Sequence, residues 1–180
     1  MKVAVCDYGA GNVRSVVAAL RRLGVDARVT DDADAVAAAD LAVLPGVGSA
    51  RSAIARLRET RVDETLRART APTLGICLGL QLALDHSEED GGVLGLRIVP
   101  GRAVRLRGDR VPRIGWAPLD GGRDSYYFAH SYAAETPAAV ATSEGIVAEV
   151  RHGSFIGVQF HPEKSGAAGA RWLERCLSHV

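Results

Sequence analysis

Thr73-Leu74-Gly75-Ile76-Cys77-Leu78-Gly79-Leu80-Gln81 is the stretch that decides how this chain folds. Thr73 to Ile76 is a short apolar run that predicts a strand. Leu78 to Leu84 has helical character, and a cysteine stands at the junction. One glycine lies two residues before Cys77 and another two after it. A Gly-x-nucleophile-x-Gly turn between strand and helix is a nucleophile elbow. Little side-chain bulk fits on either side of such a turn, which accounts for the glycines. The elbow raises its nucleophile at the end of a sheet. It also aims the positive end of the next helix at the sulfur, which favours the anionic form.

Working outward toward the N-terminus, strands and helices alternate. Lys2 to Cys6 is continuously apolar, as in a parallel strand buried on both faces. The two-glycine turn Asp7-Tyr8-Gly9-Ala10-Gly11-Asn12 follows. Val13, Val16, Val17, Leu20 and Leu23 have helical spacing, and Gly24 ends that helix. Val25 to Val29 reads as a second strand and Asp34 to Ala39 as a short helix capped by Asp34. Leu41 to Leu44 is a third strand, closed by Pro45-Gly46-Val47-Gly48-Ser49. Helical pattern returns over Ala53 to Leu57 and Val62 to Ala68. This alternation predicts an α/β fold with a mostly parallel central sheet flanked by helices. Ligands in such sheets bind at the carboxyl ends of the strands. The Asp7–Asn12 turn, the Pro45–Ser49 turn and Cys77 all lie at such ends.

Beyond Ser87 the pattern changes. A polar loop, Glu88 to Gly92, precedes short β-like runs at Leu96–Val99, Ala103–Leu106, Tyr126–Tyr132, Ala139–Ala141, Ile146–Val150 and Ser154–Gln159. These runs predict an antiparallel β extension of the sheet. Gly166 to Leu177 reads as a closing helix. No repeat or linker divides the chain, so residues 1–180 are read as one domain.

Composition narrows the function classes. Hydrophobic residues make up 47% and charged residues 24% of 180 residues, which fits a globular protein large enough to bury a core. No apolar run approaches the roughly 20 residues of a membrane span. A net charge of +1 gives no electrostatic reason to expect nucleic acid. Met1 leads straight into a strand, so no signal peptide is expected. Three widely separated cysteines suit reduced thiols and a cytoplasmic setting, not a disulfide framework. Metal-ligand spacings, dinucleotide motifs and P-loops are absent, and no cofactor is expected. Asn12 is the sole asparagine, Gln81 and Gln159 the sole glutamines, and Lys2 and Lys164 the sole lysines. All but Lys2 fall in a Gly-rich or His-containing motif.

A cysteine nucleophile needs a base, and the base needs an orienting group. Among His86, His130, His152, His161 and His179, only His161 ends a buried-looking strand (Phe155 to Phe160) with an acid two residues on. Pro162 is expected to hold His161-Pro162-Glu163 extended, so that residues 161 and 163 point the same way. That predicts a Cys77–His161–Glu163 triad, recognised by roles rather than chain order. The Pro45–Gly48 turn, with backbone N–H groups at Val47 and Gly48, is the candidate oxyanion hole, and the Leu78 N–H is its second donor. Cys6 and Cys176 lack such a context and read as core packing. His86, His152 and His179 read as solvent-facing, and His130 as either structural or substrate-adjacent.

The elbow and Gln159-Phe160-His161-Pro162-Glu163-Lys164-Ser165 together resemble the class I (triad) glutamine amidotransferases, whose fold is flavodoxin-like. Asp7–Asn12, Leu44–Gly48, Ile114-Gly115-Trp116 and Tyr127-Phe128-Ala129-His130-Ser131-Tyr132 extend the likeness end to end. They make the chain similar to the family of glutaminase subunits of imidazole glycerol phosphate synthase. The resemblance implies hydrolysis of glutamine to glutamate and ammonia. It implies that Gly46, Gln81, His130, Ser131 and Tyr132 hold the substrate. The implied partner is a (β/α)₈-barrel cyclase subunit, met near Asn12, Trp116, Tyr127 and Lys164. No stretch is left over for an ammonia-using domain, which agrees with a partner.

Three positions depart from the family pattern. Arg113 stands where histidine is usual, Ala117 where asparagine is usual, and Ser49-Ala50 where an aromatic often follows the turn. The residues alone leave other readings open. The Asp7–Asn12 glycines suit a plain turn, and Trp116 and Tyr127 suit a core. A glutaminase of another pathway, such as pyridoxal phosphate synthesis, and a partner-binding pseudoenzyme are the competing functions.

Overall fold

A computed structural model describes residues 1–9, 12–108 and 111–178. Ala10, Gly11 and His179, each part of a sequence expectation, lie outside the described residues. The first half runs β1 (Lys2–Cys6), α1 (Val13–Arg22), β2 (Asp26–Thr30), α2 (Ala33–Ala37), β3 (Leu41–Leu44), α3 (Ala50–Glu59), α4 (Val62–Ala68), β4 (Thr73–Ile76) and α5 (Leu78–Ala83). The second half runs β5 (His86–Ser87), β6 (Val93–Leu94), β7 (Arg102–Arg105), β8 (Arg113–Pro118), β9 (Ser125–His130), β10 (Tyr132–Glu135), β11 (Ala139–Ser143), β12 (Ile146–His152), β13 (Phe155–Val158) and α6 (Gly166–Leu177).

The central sheet has the order β11-β12-β13-β4-β3-β1-β2. β2, β1, β3, β4 and β13 run parallel, while β12 and β11 run antiparallel at one edge. Strand alternation sorts the side chains. Val3 and Val5 face one core with α1 and α6, where Leu20, Trp172 and Leu173 are buried. Ala4, Cys6 and Leu44 face the other, with α2 to α5, where Val36, Leu57, Leu66 and Leu82 are buried. β1 lies between β2 and β3, so successive strands are added on opposite sides of it. The reversal opens a crevice at the strands' carboxyl ends, the usual binding position in such sheets.

Several expectations change. The β-like runs do not all extend one sheet. β11, β12 and β13 do, whereas β10-β7-β5-β6 form a separate sheet and β8-β9 a two-stranded ribbon. Leu96–Val99 forms no strand because its N–H groups bond the carbonyls that end α5: Leu96 to Leu82 at 2.7 Å, and Ile98 and Val99 to Ala83 at 2.9 and 3.0 Å. Tyr126–Tyr132 splits at Ser131 into β9 and β10, which join different sheets. Asp32, not Asp34, caps α2. Its carboxylate accepts from the N–H groups of Asp34 and Ala35. α3 begins at Ala50, earlier than its apolar pattern, because Ser49 caps it.

Candidate active site

Register brings the site together. β13 pairs with β4 so that Val158 lies beside Ile76. The next residue on each strand, Gln159 and Cys77, must then be neighbours. The Cys77 N–H seals the junction with a 2.7 Å bond to the Val158 carbonyl. Cys77 itself has φ 51° and ψ −104°, a strained conformation for a non-glycine residue and one expected where surrounding packing imposes it. That packing is visible at the flanking glycines. A Cβ at Gly79 would collide with the Leu44 carbonyl, and one at Gly75 would lie 2.6 Å from the Phe155 ring. The elbow is pressed between β3 and β13, and only glycine permits it.

His161 and Glu163 sit just past the end of β13. Pro162–Lys164 forms a 3-10 turn, not the extended segment expected, closed by the Lys164 N–H to the His161 carbonyl at 3.0 Å. The tight turn, not strand alternation, brings the side chains together. His161 Nδ1 donates to Glu163 Oε1 at 2.8 Å, with both side chains buried. Asn12 Nδ2 donates to the same oxygen at 2.9 Å. Burial alone would lower the His161 pKa. Cys77 and Glu163, each through hydrogen bonding and charge, outweigh it and raise the imidazole from 6.5 to about 9. Nε2 has no hydrogen bond of standard geometry, so the influence of Cys77 reaches it at a looser contact. The arrangement can hold a proton on the imidazole beside a sulfur nucleophile.

A pocket of about 270 Å³ opens at Cys77. Gly46, Val47, Gly48, Leu78, Gln81, His130, Ser131 and Tyr132 all line it. Gly48 has φ 121°, a conformation reserved in practice for glycine, although a Cβ there would meet nothing within 4 Å. Gly46 is needed for closeness instead, since a Cβ would lie 2.5 Å from Leu78 Cβ. The turn is therefore packed directly on the elbow. Its far side is pinned by the polar loop after α5. Glu89 accepts from the Ala50 N–H at 3.0 Å, and Asp90 accepts from Ser49 Oγ at 2.6 Å and the Arg51 N–H at 3.2 Å. Ser49-Ala50, a departure from the family pattern, thus has a structural role here.

His130 is buried, its Nδ1 donating to the Tyr132 carbonyl at 2.9 Å. Burial, first, and then Arg113 and His161 lower its pKa to about 4, against the bond to Tyr132. Gln81 donates from Nε2 to the same carbonyl at 2.8 Å and to Gln159 Oε1 at 3.1 Å. Gln159 Nε2 lies 3.4 Å from Cys77 Sγ. Sequence reasoning assigned no role to Gln159. Its rarity was the signal, but its neighbour is set by cross-strand register.

The four partner-facing candidates separate. Trp116 is 59% exposed, and beside it Ile114, not among the candidates, is 65% exposed. Tyr127 packs edge-on against Trp116 at 5.9 Å, and Lys164 Nζ lies 5.9 Å from the Tyr127 ring centre. These form one outward patch at the rim of the site, so Trp116 is not a core aromatic. Asn12 is buried and faces Glu163, which gives it a place behind the His161–Glu163 pair. Arg113 stacks 4.1 Å from the Phe128 ring centre and bonds Ser143 and Glu144. It ties β8 to the turn between β11 and β12. Cys6 and Cys176 are buried with pKa values pushed to about 12, first by burial, as suits packing residues. His86 is half-buried, not solvent-facing, and His152 is exposed. Among the described residues no cluster of three or more His, Cys, Asp or Glu side chains could hold a metal, and no helix is long and apolar enough to cross a membrane.

The family model described as "Glutamine amidotransferase class-I" matches residues 4–180. The imidazole glycerol phosphate synthase subunit HisH of Methanothermobacter thermautotrophicus is 44% identical over 186 residues, covering 93% of each chain. That of Idiomarina loihiensis is 42% identical over 192 residues, covering 98% of this chain and 97% of its own. Among solved structures, a glutamine amidotransferase crystal structure superposes with TM-score 0.80 at 20% identity over 99% of each chain. PurLQS from Thermotoga maritima superposes with TM-score 0.72 at 18% identity, covering 99% of this chain and 98% of its own. These two likenesses speak to fold alone.

Proposed function

The chain belongs to the class-I glutamine amidotransferase family, and from that premise we propose that it is the glutaminase subunit of imidazole glycerol phosphate synthase. The observation that carries the chemistry is a strained Cys77 that lines the pocket, with the buried His161–Glu163 pair beside it. Similarity to HisH subunits over nearly the full chain supports the pathway. Those relatives are named as subunits of a synthase, which implies a partner subunit.

In the proposed reaction the Cys77 sulfur attacks the side-chain amide carbon of glutamine. N–H groups at Val47 or Gly48 and at Leu78, the first residue of α5, receive the developing oxyanion. His161 gives its proton to the nitrogen as the C–N bond breaks, releasing ammonia and leaving a glutamyl thioester. The neutral imidazole then takes a proton from water, whose oxygen displaces the sulfur to give glutamate. Glu163 steadies the imidazolium, with Asn12 fixing Glu163. Gly46, Gln81, His130, Ser131 and Tyr132 hold the amino-acid end.

Ammonia released into neutral water becomes ammonium and loses its nucleophilicity, so a sheltered hand-over is required. The receiving partner is a (β/α)₈-barrel cyclase that makes imidazole glycerol phosphate and aminoimidazole carboxamide ribonucleotide. The exposed Ile114, Trp116, Tyr127 and Lys164 patch supports docking there. A glutaminase assay with and without the cyclase and its nucleotide ligand tests the reading. Cys77→Ala is expected to abolish hydrolysis while cyclase binding persists. An active Cys77→Ala protein would remove the triad assignment, and full activity without cyclase would remove the coupling.

A further inference from the structure

We propose that Gln159 donates a hydrogen bond to the Cys77 sulfur and that Gln81 sets the direction of that bond. The inference rests on Cys77 being the nucleophile. A carboxamide can present either its oxygen or its NH₂, so the network must be oriented from a group with no such choice. The Tyr132 carbonyl oxygen is that group, because it can only accept. Gln81 Nε2 lies 2.8 Å from it, so the Gln81 amino group faces Tyr132. The second hydrogen of that amino group is directed at Gln159 Oε1, 3.1 Å away. With its oxygen committed, Gln159 has only its amino group left to face Cys77 Sγ at 3.4 Å. Reversing Gln159 would set two amino groups against each other and an oxygen against an anionic sulfur. His130 Nδ1 at 2.9 Å reinforces the same carbonyl, whose two lone pairs are then both used.

The placement leaves little freedom. Gln159 is fully buried and Gln81 is 4% exposed. The Gln159 N–H is fixed to the Ala148 carbonyl at 2.9 Å, and the Cys77 N–H to Val158 at 2.7 Å. A donor held against sulfur favours the thiolate over the thiol, because a hydrogen bond to the charged form stabilises it. It does so without adding a positive charge that would repel the imidazolium. Gln159 therefore acts on the reacting atom, and Gln81 acts through Gln159 as a positioning residue, besides lining the pocket.

The composition makes the test unusually clean. Asn12, Gln81 and Gln159 are the only carboxamide side chains in the chain, so a ¹⁵N–¹H spectrum of the uniformly labelled full chain holds three such NH₂ groups. The Gln159 pair is expected to shift as the sulfur titrates, and that shift is expected to vanish in Cys77→Ala. A Gln159 signal indifferent to both overturns the proposal without any variant of Gln159 having to fold. In parallel, iodoacetamide labelling of Cys77 is followed against pH by peptide mass spectrometry. Gln159→Leu is expected to raise the labelling midpoint by about one pH unit and to lower kcat about tenfold with KM little changed. Gln81→Met, which leaves the Gln159 amide in place but unaimed, is expected to move the midpoint the same way by less. A role in packing alone would lower the melting temperature and leave the midpoint where it was. That outcome overturns the proposal. If labelling Cys77 in the unaltered protein spared glutaminase activity, the nucleophile assignment would fail, separately from the Gln159 contact.

Discussion

Glu163→Gln separates the charge behind His161 from its shape. Glu163 Oε1 accepts from His161 Nδ1 at 2.8 Å and from Asn12 Nδ2 at 2.9 Å. A glutamine oxygen in that place keeps both bonds, and what disappears is the negative charge. The native imidazole is raised from 6.5 to about 9, burial working against the rise and Cys77 and Glu163 producing it. A folded-state value above the unfolded one means the native state holds the proton more tightly. The resulting stability is complete below pH 6.5 and is lost as pH climbs through about 9. At about 1.4 kcal/mol per pH unit, the full rise corresponds to about 3 kcal/mol. Glu163 and Cys77 each contribute a hydrogen bond and a charge, and the Glu163 charge is the smallest of the four, so its removal with the bond kept should erase less than half of that dependence, under about 1.5 kcal/mol. Urea unfolding at a series of pH values reads this directly. The unaltered chain should weaken between pH 6.5 and 9, and Glu163→Gln should weaken measurably less while keeping more than half of the loss. The double variant with Cys77→Ala should be nearly flat across that interval. A Glu163→Gln protein with the full alkaline loss would refute the argument, since its source would lie elsewhere. Activity should fall about 10- to 100-fold in kcat, the scale of a charge-assisted hydrogen bond to a transient cation.

Two further outcomes follow from buried groups around the pocket. His130, lowered to about 4 chiefly by burial, acts in the opposite sense. The unfolded chain takes up this proton first, so about 3 kcal/mol of stability present above pH 6.5 should be lost as pH falls toward 4. His130→Asn, whose amide can donate to Tyr132 in place of Nδ1, should flatten that acid limb in unfolding curves, and an unchanged limb would rule the assignment out. Gly169→Ala would drive a Cβ into the Pro162 carbonyl and to 2.8 Å from Ser165 Cβ. It should cost about 1–3 kcal/mol and depress glutaminase activity by displacing the His161–Glu163 turn. A calorimetric scan and rates matching those of the unaltered protein would contradict this packing.

Much of the architecture is legible in local pattern because burial imposes it locally. β1, β3, α4 and α6 begin and end at the residues their periodicity indicates. Each is a strand covered on both faces or a helix with one apolar stripe. β8 is not legible in that way. Ile114 and Trp116 point outward and Gly115 breaks the run, so the segment lacks the pattern of a half-buried strand. Leu96–Val99 misleads for the converse reason: Leu96 and Val99 are buried, but the segment's N–H groups serve the end of α5. At the site, Cys77, His161 and Glu163 are readable because each sits in a short motif. The His161–Glu163 contact is expected on the wrong local geometry, since a 3-10 turn closes it. Asn12 behind Glu163 and Gln159 beside Cys77 depend on contacts across 151 and 82 residues, which no window of sequence contains.

Those long-range contacts explain why three carboxamides stand in a chain otherwise dominated by alanine and arginine. Asn12 donates to Glu163, Gln81 to Tyr132 and Gln159, and Gln159 to Cys77. Asn12 and Gln159 each hold a donor against an acceptor whose charge must survive, and Gln81 holds one against two neutral oxygens. Arginine or lysine at any of them would supply the donor together with a full positive charge in a buried site. Behind Glu163 such a charge would neutralise the carboxylate and release the imidazolium. Beside Cys77 it would stabilise the thiolate so far that attack on an amide would slow, since nucleophilicity falls with basicity. Alanine or leucine would leave the acceptor unsatisfied, which costs about 1–3 kcal/mol when buried. A carboxamide supplies a neutral, planar donor. At Gln159 it also supplies an acceptor through which its own direction can be imposed.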